Sequence, residues 1–505
     1  MVERSCEEDP GEPLEHSRLL GADNSEHCAE GKKAEKAIIL LKIVILLLAL
    51  GDDMLDSPMA RITEAVICYR HYEMTDPSKL RMGRDDIGPG AIGGVEELHC
   101  KVNAVQAKLA SLRGWQSLLD SIPGLLLAVP VGWAADQYGR KQFVLLALLG
   151  VFLQGAWPQF VTWFWQAFDL RAVWFSACSG FMAGGIDTAN TLFFVMISDV
   201  ASEARRAEVF VQLGALSMGA LLVMPPMSAW LMRICSPWVP ALIGALLKLA
   251  AVAVFHHCPE TLSRAERERR AMVGAVRWQE PSKKSWLDKF HQSSRFLLND
   301  WRITALIATF FGQAFLGRNR LLILQYLSKR YSISISDATL LMTARTITMF
   351  LLFMFILPYI SKLMIYRQLV ASAHHKDLYL AQASYVLWTV GWALLGLAPN
   401  EALAVASMGI AALGQGTTLL ARSFLASLLQ PHEVARAYSV VSMVEMIGSM
   451  LGAPALAAIF NLGLSWGRAW IGLPFIVIGL LSAVFTAVMF AVGLQRSEHG
   501  RREDI

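Results

Sequence analysis

The stretch "GWAADQYGRKQF", from Gly132 to Phe143, places charged side chains between two long apolar runs. "GLLLAVPV" comes directly before it and "VLLALLGVFL" directly after it. A helix needs about 20 mostly apolar residues to cross a bilayer, so the stretch is typical of a short turn between two spans. Gly139 is free to take a positive φ and reverse the chain, and Arg140 and Lys141 suit the membrane surface.

The composition agrees with a membrane protein. Of the 505 residues, 55% are hydrophobic and 17% are charged, whereas soluble domains carry roughly 25% charged residues. The net charge is only +4, and we expect no nucleic-acid partner. The lipid bilayer is the partner that this composition predicts.

Twelve apolar runs are long enough to span a membrane. Because they are continuous rather than alternating, helices are expected and not strands, since helices satisfy their backbone groups within lipid. The predicted fold class is an all-α membrane protein with twelve transmembrane helices in two six-helix halves. The predicted spans are 37–58, 114–134, 143–165, 172–198, 206–230, 238–256, 300–326, 336–358, 378–397, 401–421, 434–462 and 468–494.

Two long gaps between the spans divide the chain. The resulting organisation is an acidic, disordered cytoplasmic tail (1–36), a first half (37–256) with a long extracytoplasmic loop (59–113), a cytoplasmic central loop (257–299), a second half (300–494) and a cytoplasmic tail (495–505). The short loops assigned to the cytoplasm carry nine Lys or Arg residues and the opposite short loops carry five. Positive charge favours the cytoplasmic side, which supports this orientation.

The two halves also resemble each other in sequence. Glu203, Arg206 and Ala207 match Glu433, Arg436 and Ala437 at a constant offset of 230 residues. Each triplet precedes or begins the fifth span of its half. This placement favours a duplication, in which two six-helix halves are related by an axis along the membrane normal.

Two of the seven cysteines, Cys68 and Cys100, bracket the long extracytoplasmic loop. They are expected to pair if that loop faces an oxidising space, and to remain free thiols otherwise. Neither cysteines nor histidines occur at metal-ligand spacing, so no metal is expected.

The opening stretch carries a resemblance to a known family. Its pattern resembles the signature G-x-x-x-D-x-x-G-R-[KR] between the second and third helices of the major facilitator superfamily, here Gly132, Asp136, Gly139, Arg140 and Lys141. The resemblance implies that Asp136 helps to latch the two halves in the outward-facing state; the alternative is a solvated turn. "PETL", from Pro259, is similar to a second family signature. Pro58, Arg61, Glu64 and "ICYRHY" resemble fungal members associated with drug or secondary-metabolite export.

Some family features are missing from this chain. Gly180 stands where the fourth helix of many members carries an arginine linked to proton transfer, and the Gly-Pro antiporter signature of the fifth helix is absent. The second-half copy of the opening motif has lost its aspartate. Proton antiport is therefore an expectation from the family and is not assigned to particular residues.

Ionisable side chains within a span cost about 2.5 to 3.5 kcal/mol on insertion scales, which makes them the first candidates for transport. Asp52 and Asp53 in span one are candidates for proton coupling or substrate binding, or else mark a helix end that meets water. Adjacent helical residues point about 100° apart, so at most one of the two faces a pathway. In span four, Asp187 and Asn190 follow two glycines, which indicates an opened segment lining a cavity.

The second half offers further candidates. Arg318, Arg320 and Gln325 in span seven either bind an anionic or carbonyl-rich substrate or form the outer end of the helix. Arg345 and Glu445 each need a partner in a dry site, and one arrangement is a pair between them. Gln415 either hydrogen-bonds substrate or packs against neighbouring helices.

We therefore expect a secondary active transporter that moves a small organic molecule by alternating access. The chain has no Walker loop, GxSxG or HExxH motif, so neither an enzyme nor a cofactor is expected. The resemblance implies proton-coupled efflux of a secondary metabolite or toxicant by a monomer in the plasma or vacuolar membrane. The alternatives are a nutrient-uptake symporter or facilitator, and a non-transporting sensor of transporter shape.

Overall fold

The computed structural model describes residues 15–262, 301–317, 320–367, 373–429 and 431–503, and all regular elements in these ranges are helical. The first half contains seven helices, because its fourth span is divided in two. They are α1 (Glu15–Thr75), α2 (Asn103–Tyr138), α3 (Arg140–Trp163), α4 (Ser176–Gly180), α5 (Gly185–Val200), α6 (Glu203–Ile234) and α7 (Trp238–His256).

The second half follows the same plan with more interruptions. Its helices are α8 (Trp301–Gly317), α9 (Arg320–Tyr331), α10 (Ile335–Leu351), α11 (Leu357–Tyr366), α12 (Ala373–Leu397), α13 (Glu401–Leu413), α14 (Thr417–Leu428), α15 (Pro431–Trp466) and α16 (Leu473–Glu503). A π-helical stretch (Leu352–Ile356) joins α10 to α11, and a 3-10 turn (Gly414–Gly416) joins α13 to α14. A proline at position 358 explains the first interruption, since its ring clashes with the carbonyl four residues earlier.

Ten helical stretches in the described part of the chain are long and apolar enough to cross a membrane. The predicted span 37–58 is also helical, and the described residues of the predicted span 300–326 lie in α8 and α9. The first carries Lys42, Asp52 and Asp53 in its apolar part, and α8 of the second has only 17 residues. The chain is a multi-pass, all-α membrane protein.

The first helix is much longer than predicted. We expected a loop from residue 59, but α1 continues to Thr75 and α2 already begins at Asn103, so the loop covers only residues 76–102. The reason is that Val66, Ile67 and Tyr69 are buried beneath the loop, which gives the extension a packed face.

The described parts of both predicted tails are helical. α1 begins at Glu15, within the tail that was expected to be disordered, and α16 continues through residues 495–503. Alanine, glutamate and lysine before the first span have high helix propensity, which explains the backward extension. Residues 1–14 and the central loop beyond residue 262 lie outside the described residues.

The halves meet through matching helices. α2 packs along α15, and α6 packs along α10. The second span of each half thus contacts the fifth span of the other, as expected for two halves related by a twofold axis. We call the end of the molecule that carries residues 76–102 the loop side, and the end that carries Gly139 the turn side.

Candidate functional site

Two neighbouring cavities lie between the halves. The first chamber has a volume of about 350 Å³ and is lined by Asp56, Ala60, Leu109, Ala110, Arg113, Gly114, Ser117, Gly317, Arg320, Leu321, Leu322, Gln325, Ala453 and Ala457. The second chamber has a volume of about 200 Å³ and is lined by Asp56, Ser57, Leu221, Pro225, Gly317, Arg320, Leu321, Leu324, Thr339, Met342, Thr343, Arg345, Thr346, Met349 and Gln415. Because residues from both halves line each chamber, a ligand there would contact both halves at once.

A larger groove of about 630 Å³ lies on the loop side. Of its lining residues, only Asn461 belongs to the second half. A ligand in this groove would therefore contact almost exclusively the first half. The two chambers between the halves are the better candidate site.

An ion pair that joins the halves separates the two chambers. Arg320 Nη1 lies 2.7 Å from Asp53 Oδ1 and 3.5 Å from Asp56 Oδ2. Asp53 and Asp56 are three residues apart in α1 and therefore share one face of that helix. Asp52 points elsewhere and pairs with Lys248 of α7. The two neighbouring aspartates thus have different ion-pair partners, that of Asp53 in the second half and that of Asp52 in the first.

Two more arginines line the chambers with incomplete hydrogen bonding. The Nε atoms of Arg113 and Arg345 are buried and have no hydrogen-bond partner among the described residues. The guanidinium of Arg345 lies 5.8 Å from the ring centre of Trp392. Gln415 Oε1, in the second chamber, is a buried acceptor that likewise lacks a described partner.

The suggested pair between Arg345 and Glu445 is wrong. Glu445 of α15 pairs instead with Arg422 of α14. Arg345 instead lines the second chamber. Arg318, another candidate, lies outside the described residues.

Gln325 serves to join the halves rather than to present a free side chain. It is buried, and its Nε2 donates to the carbonyl of Gln106 in α2 at 2.6 Å. Its neighbours on α9 and α10 make further contacts to the first half. Gln325 borders the first chamber while its amide group is occupied by this contact.

The fourth span is broken next to Asp187. Gly184 and Gly185 have φ values of +83° and +70°, a region that favours glycine, and α5 begins there. Asp187 occupies the first turn of α5, where a helix amino terminus favours a carboxylate. A Cβ on Gly124 would lie 3.7 Å from Asp187 Oδ2 and 3.2 Å from the Met446 methyl group. Asp187 is therefore near the boundary between the halves, and Asn190 is exposed one turn further along.

The turn at Gly139 is held by several polar contacts. Gly139 has φ of +107°, which allows α2 to end and α3 to begin at once. Arg140 is buried, lies 3.0 Å from Asp136 and also pairs with Asp199 of α5. Glu260 of the "PETL" segment accepts the backbone N–H groups of Arg140 and Lys141 at 3.2 Å each. Gly132 lies within α2 with open space around it.

A buried cluster of charged residues lies beneath the loop, and the sequence did not predict it. We call Arg61, Glu64, Glu97 and Lys101 the loop-side cluster. Glu64 is 1% exposed, and its Oε1 lies 2.8 Å from Lys101 Nζ. A disulfide between Cys68 and Cys100 ties the loop to α1 beside this cluster.

Glu97 connects the loop-side cluster to the second half. Its carboxylate contacts Arg61 at 3.0 Å and Lys101 at 3.3 Å, and accepts the backbone N–H of Ile335 at 2.6 Å. Burial alone would raise the pKa of Glu97. The two cations and the Ile335 N–H outweigh burial, and the pKa is lowered from its ordinary value.

Several other polar residues at these sites were also missed. Asp56, Arg113 and Lys248 are charged residues in or beside predicted spans, which is the signal that could have identified them. Asp120 of α2 is a further example, with its carboxylate 2.8 Å from Ser176 Oγ. Arg422 was missed because it lies just beyond the predicted end of span ten.

This fold and this site define a class: a membrane transporter of two helical halves with a polar cavity between them. The sequence model described as Major Facilitator Superfamily matches residues 109–418, more than half of the chain. The chain therefore belongs to the major facilitator superfamily, and it is a secondary transporter of a small molecule and not an enzyme.

Individual relatives agree with this assignment. The chain is 28% identical over 489 residues to the MFS efflux pump atnC of Emericella nidulans, covering 95% of this chain and 92% of the relative. It is 29% identical over 463 residues to the MFS-type transporter aprT of Aspergillus flavus, covering 92% and 89%. The crystal structure of the nucleoside transporter NupG has the same fold, with a TM-score of 0.59, 13% identity and coverage of 90% and 98%.

Proposed function

We propose that the protein exports a small organic molecule, a fungal secondary metabolite or toxicant, in exchange for protons. The observation that carries this proposal is the ion pair of Arg320 with Asp53 and Asp56, which joins the two halves at the wall shared by both chambers. A contact of this kind couples occupancy of the cavity to the relative position of the halves.

Contacts on the loop side support alternating access. Asn103 Nδ2 donates to the Leu464 carbonyl at 3.0 Å, and Asn461 Nδ2 donates to Ser111 Oγ at 2.8 Å. Arg233 pairs with Asp337 across the same boundary. Together with Glu97 and Gln325, they hold the halves together between the chambers and the loop side. We infer a conformation in which the loop side is closed and substrate enters from the turn side.

The turn at Gly139 fits the role of a latch for the opposite conformation. Asp136 is about half exposed and bound to Arg140, which is itself anchored in the first half by Asp199. In the proposed cycle, closure of the turn side brings the second half against this group. Glu260 holds the start of α3 in place while this happens.

A carboxylate that releases its arginine when it is protonated is a physical means of proton coupling. Protonation of Asp53 would remove its charge and weaken its contact with Arg320, because ion pairs in a poorly solvated site are strong only when both partners are charged. Asp187 is a second proton site in this proposal, since it lies at the boundary of the halves and at a helix break.

Efflux as the direction rests on relatives such as atnC, which is named an efflux pump. A fungal exporter of this kind would act in the plasma membrane or the vacuolar membrane. Uptake or facilitated diffusion is the second candidate, and the missing Gly-Pro antiporter signature is the observation that favours it. A sensor that binds ligand without moving it is the third.

The test is flux in sealed vesicles that contain the purified protein, with an imposed pH gradient and a panel of labelled amphipathic metabolites. Asp53→Asn is the test variant. Asp52→Asn is the matched control, because it makes the same change at the adjacent position, which pairs within the first half. We expect gradient-driven flux in the wild type and in Asp52→Asn, and its loss in Asp53→Asn.

Other results would point to the other candidates. Equal flux with and without the gradient would show a facilitator. Ligand binding without movement of any compound would overturn transport and favour the sensor. If Asp187→Asn abolishes gradient-driven flux and Asp53→Asn does not, the coupling site is in the fourth span.

A further inference from the structure

The two chambers contain more cationic than anionic side chains. Arg113, Arg320 and Arg345 line them. The opposing carboxylates are Asp56, which lines both chambers, and Asp53, which binds Arg320. Both aspartates contact Arg320, which leaves Arg113 and Arg345. Asp120 of α2 lies within electrostatic range of Arg113, so the charge without a described carboxylate is that of Arg345.

Arg345 is the less compensated of these two arginines. Its Nε is buried without a described hydrogen-bond partner, and the carboxylate once expected for it is held by Arg422. Its described neighbour is the Trp392 ring, whose face stabilises a cation only modestly. A buried charged donor that lacks an acceptor is costly, and a ligand that supplies the acceptor removes that cost.

Arg113 has a similar environment in the first chamber. Its Nη2 donates to Thr63 Oγ1 at 3.3 Å, whereas its Nε is buried without a described partner. The hydroxyl is neutral, but the carboxylates of Asp56 and Asp120 interact with the Arg113 charge and balance part of it. Each chamber thus presents one guanidinium whose buried Nε has no described acceptor, and Arg113 is the weaker anion anchor of the two.

The rest of the second chamber indicates what surrounds the anion. Gln415 Oε1 is a buried acceptor without a described donor, and it lies in the same chamber as Arg345. Leu221, Met342 and Met349 provide an apolar wall. A matching ligand carries a negative group, a hydrogen-bond donor near it and an apolar body.

We propose that the cavity binds amphipathic organic anions, specifically carboxylic acids, with the carboxylate on Arg345 and Arg113 as a second anchor. This inference rests on the proposed function and specifies its substrate class. Arginine suits the role because its planar guanidinium binds a carboxylate through two parallel hydrogen bonds. A carboxylate that reaches Arg320 would also compete with Asp53, which links anion binding to the contact between the halves.

The first experiment compares three probes on the full-length wild-type protein in detergent: 1-naphthoate, 1-naphthamide and 1-naphthylmethylamine. They share one ring system and differ in charge. We expect 1-naphthoate to bind at least about tenfold more tightly than the amide, the range for a hydrogen bond to a charged group. Equal binding of the amide, tighter binding of the amine, or no binding of 1-naphthoate would overturn the proposal. This comparison requires no variant.

Variants then locate the site. Arg345→Gln is expected to remove most of the preference for 1-naphthoate while leaving the dissociation constant of 1-naphthamide unchanged, and Arg345→Lys is expected to restore part of it. Arg171→Gln, which changes an exposed arginine on the loop side, is the matched control. A full preference for the carboxylate in both Arg345→Gln and Arg113→Gln would overturn the assignment of the site.

Binding and flux distinguish this inference from the proposed function. If 1-naphthoate binds through Arg345 but no labelled compound crosses the vesicle membrane, the result supports the anion site and contradicts the proposed transport. If neutral or cationic compounds are transported and carboxylates are neither bound nor transported, the result supports the proposed transport and contradicts the anion site.

Discussion

Arg320 of α9 and Asp53 of α1 belong to opposite halves of the protein, and their side chains meet at a distance of 2.7 Å between Nη1 and Oδ1. Asp56, one turn further along α1, approaches the same guanidinium at 3.5 Å. The pair lies at the wall between the two chambers. It is thus both part of the cavity lining and a bond between the halves, so that a ligand or a proton acting on it affects how the halves are held together.

Removal of one partner of this pair is expected to destabilise the protein more than removal of both. Arg320→Gln leaves two carboxylates facing each other, whereas Arg320→Gln combined with Asp53→Asn leaves only Asp56 charged. We expect a coupling of about 1–3 kcal/mol in a double-mutant cycle, with the double variant more stable than the sum of the single effects predicts. Thermal unfolding of the four purified proteins measures this. Additive effects would contradict a direct interaction.

Gly139→Ala is expected to destabilise the turn between α2 and α3. Gly139 has φ of +107° and ψ of +144°, a conformation that costs a residue with a Cβ about 1–3 kcal/mol. Gly132→Ala is the control, because Gly132 lies inside α2 with no atom near its Cβ position, where alanine is neutral or slightly stabilising. The melting temperatures of the two variants are the measurement. Equal melting temperatures would show that the backbone at Gly139 relaxes.

The disulfide between Cys68 and Cys100 is expected to stabilise the loop and the end of α1. Cys68→Ser with Cys100→Ser should lose about 2–4 kcal/mol, since the cross-link restricts the unfolded chain. Cys178→Ser, which removes an exposed free thiol, is the control. The measurement is thermal unfolding with and without reductant. The wild type should respond to reductant and the double variant should not; an identical response in both would rule out a structural cross-link.

Glu97 makes the stability of the closed loop side depend on pH. The folded-state pKa of Glu97 lies below the ordinary glutamate value of about 4.3, because Arg61, Lys101 and the Ile335 N–H outweigh burial. Its contribution is therefore fully present above the unfolded pKa and is lost as pH falls through the folded pKa. Glu97→Gln should lower the melting temperature at pH 6 and reduce the loss of stability between about pH 5 and pH 3.

The control for this prediction is Glu96→Gln. Glu96 is the preceding residue, and its partner Arg81 is exposed on the surface of the loop. An exposed ion pair contributes little, about 0–1 kcal/mol. A steep acidic loss that persists in Glu97→Gln, or that disappears equally in Glu96→Gln, would contradict the assignment to Glu97.

The features that could be predicted from the sequence are local ones. The apolar runs predicted the helices, and the glycines at positions 139, 184 and 185 marked the places where the chain turns or breaks. The offset of 230 residues between matching segments predicted two equivalent halves. The end of α1 was predicted too early, because residues 59–75 are mixed in polarity and become a stable helix only through the loop packed on them.

The partners of the charged residues could not be predicted in the same way. Asp52 and Asp53 are neighbours in the sequence, yet one pairs with Lys248 and the other with Arg320. Glu445 pairs with Arg422 rather than with Arg345. The loop-side cluster joins Arg61 and Glu64 of α1 to Glu97 and Lys101 of the loop, and no local pattern connects these two pairs.

The sequence by itself determined that this chain forms membrane-spanning helices in two related halves, with a charged turn of the major facilitator type between the second and third spans. Hydropathy and glycine conformation act over a few residues, so the order of residues is enough to predict them. The tertiary structure alone decided which charges meet, where the chambers lie and which arginines face them with an Nε that no described residue accepts. Those properties depend on which helix faces pack together, and one rotation of a helix by about 100° changes every such contact.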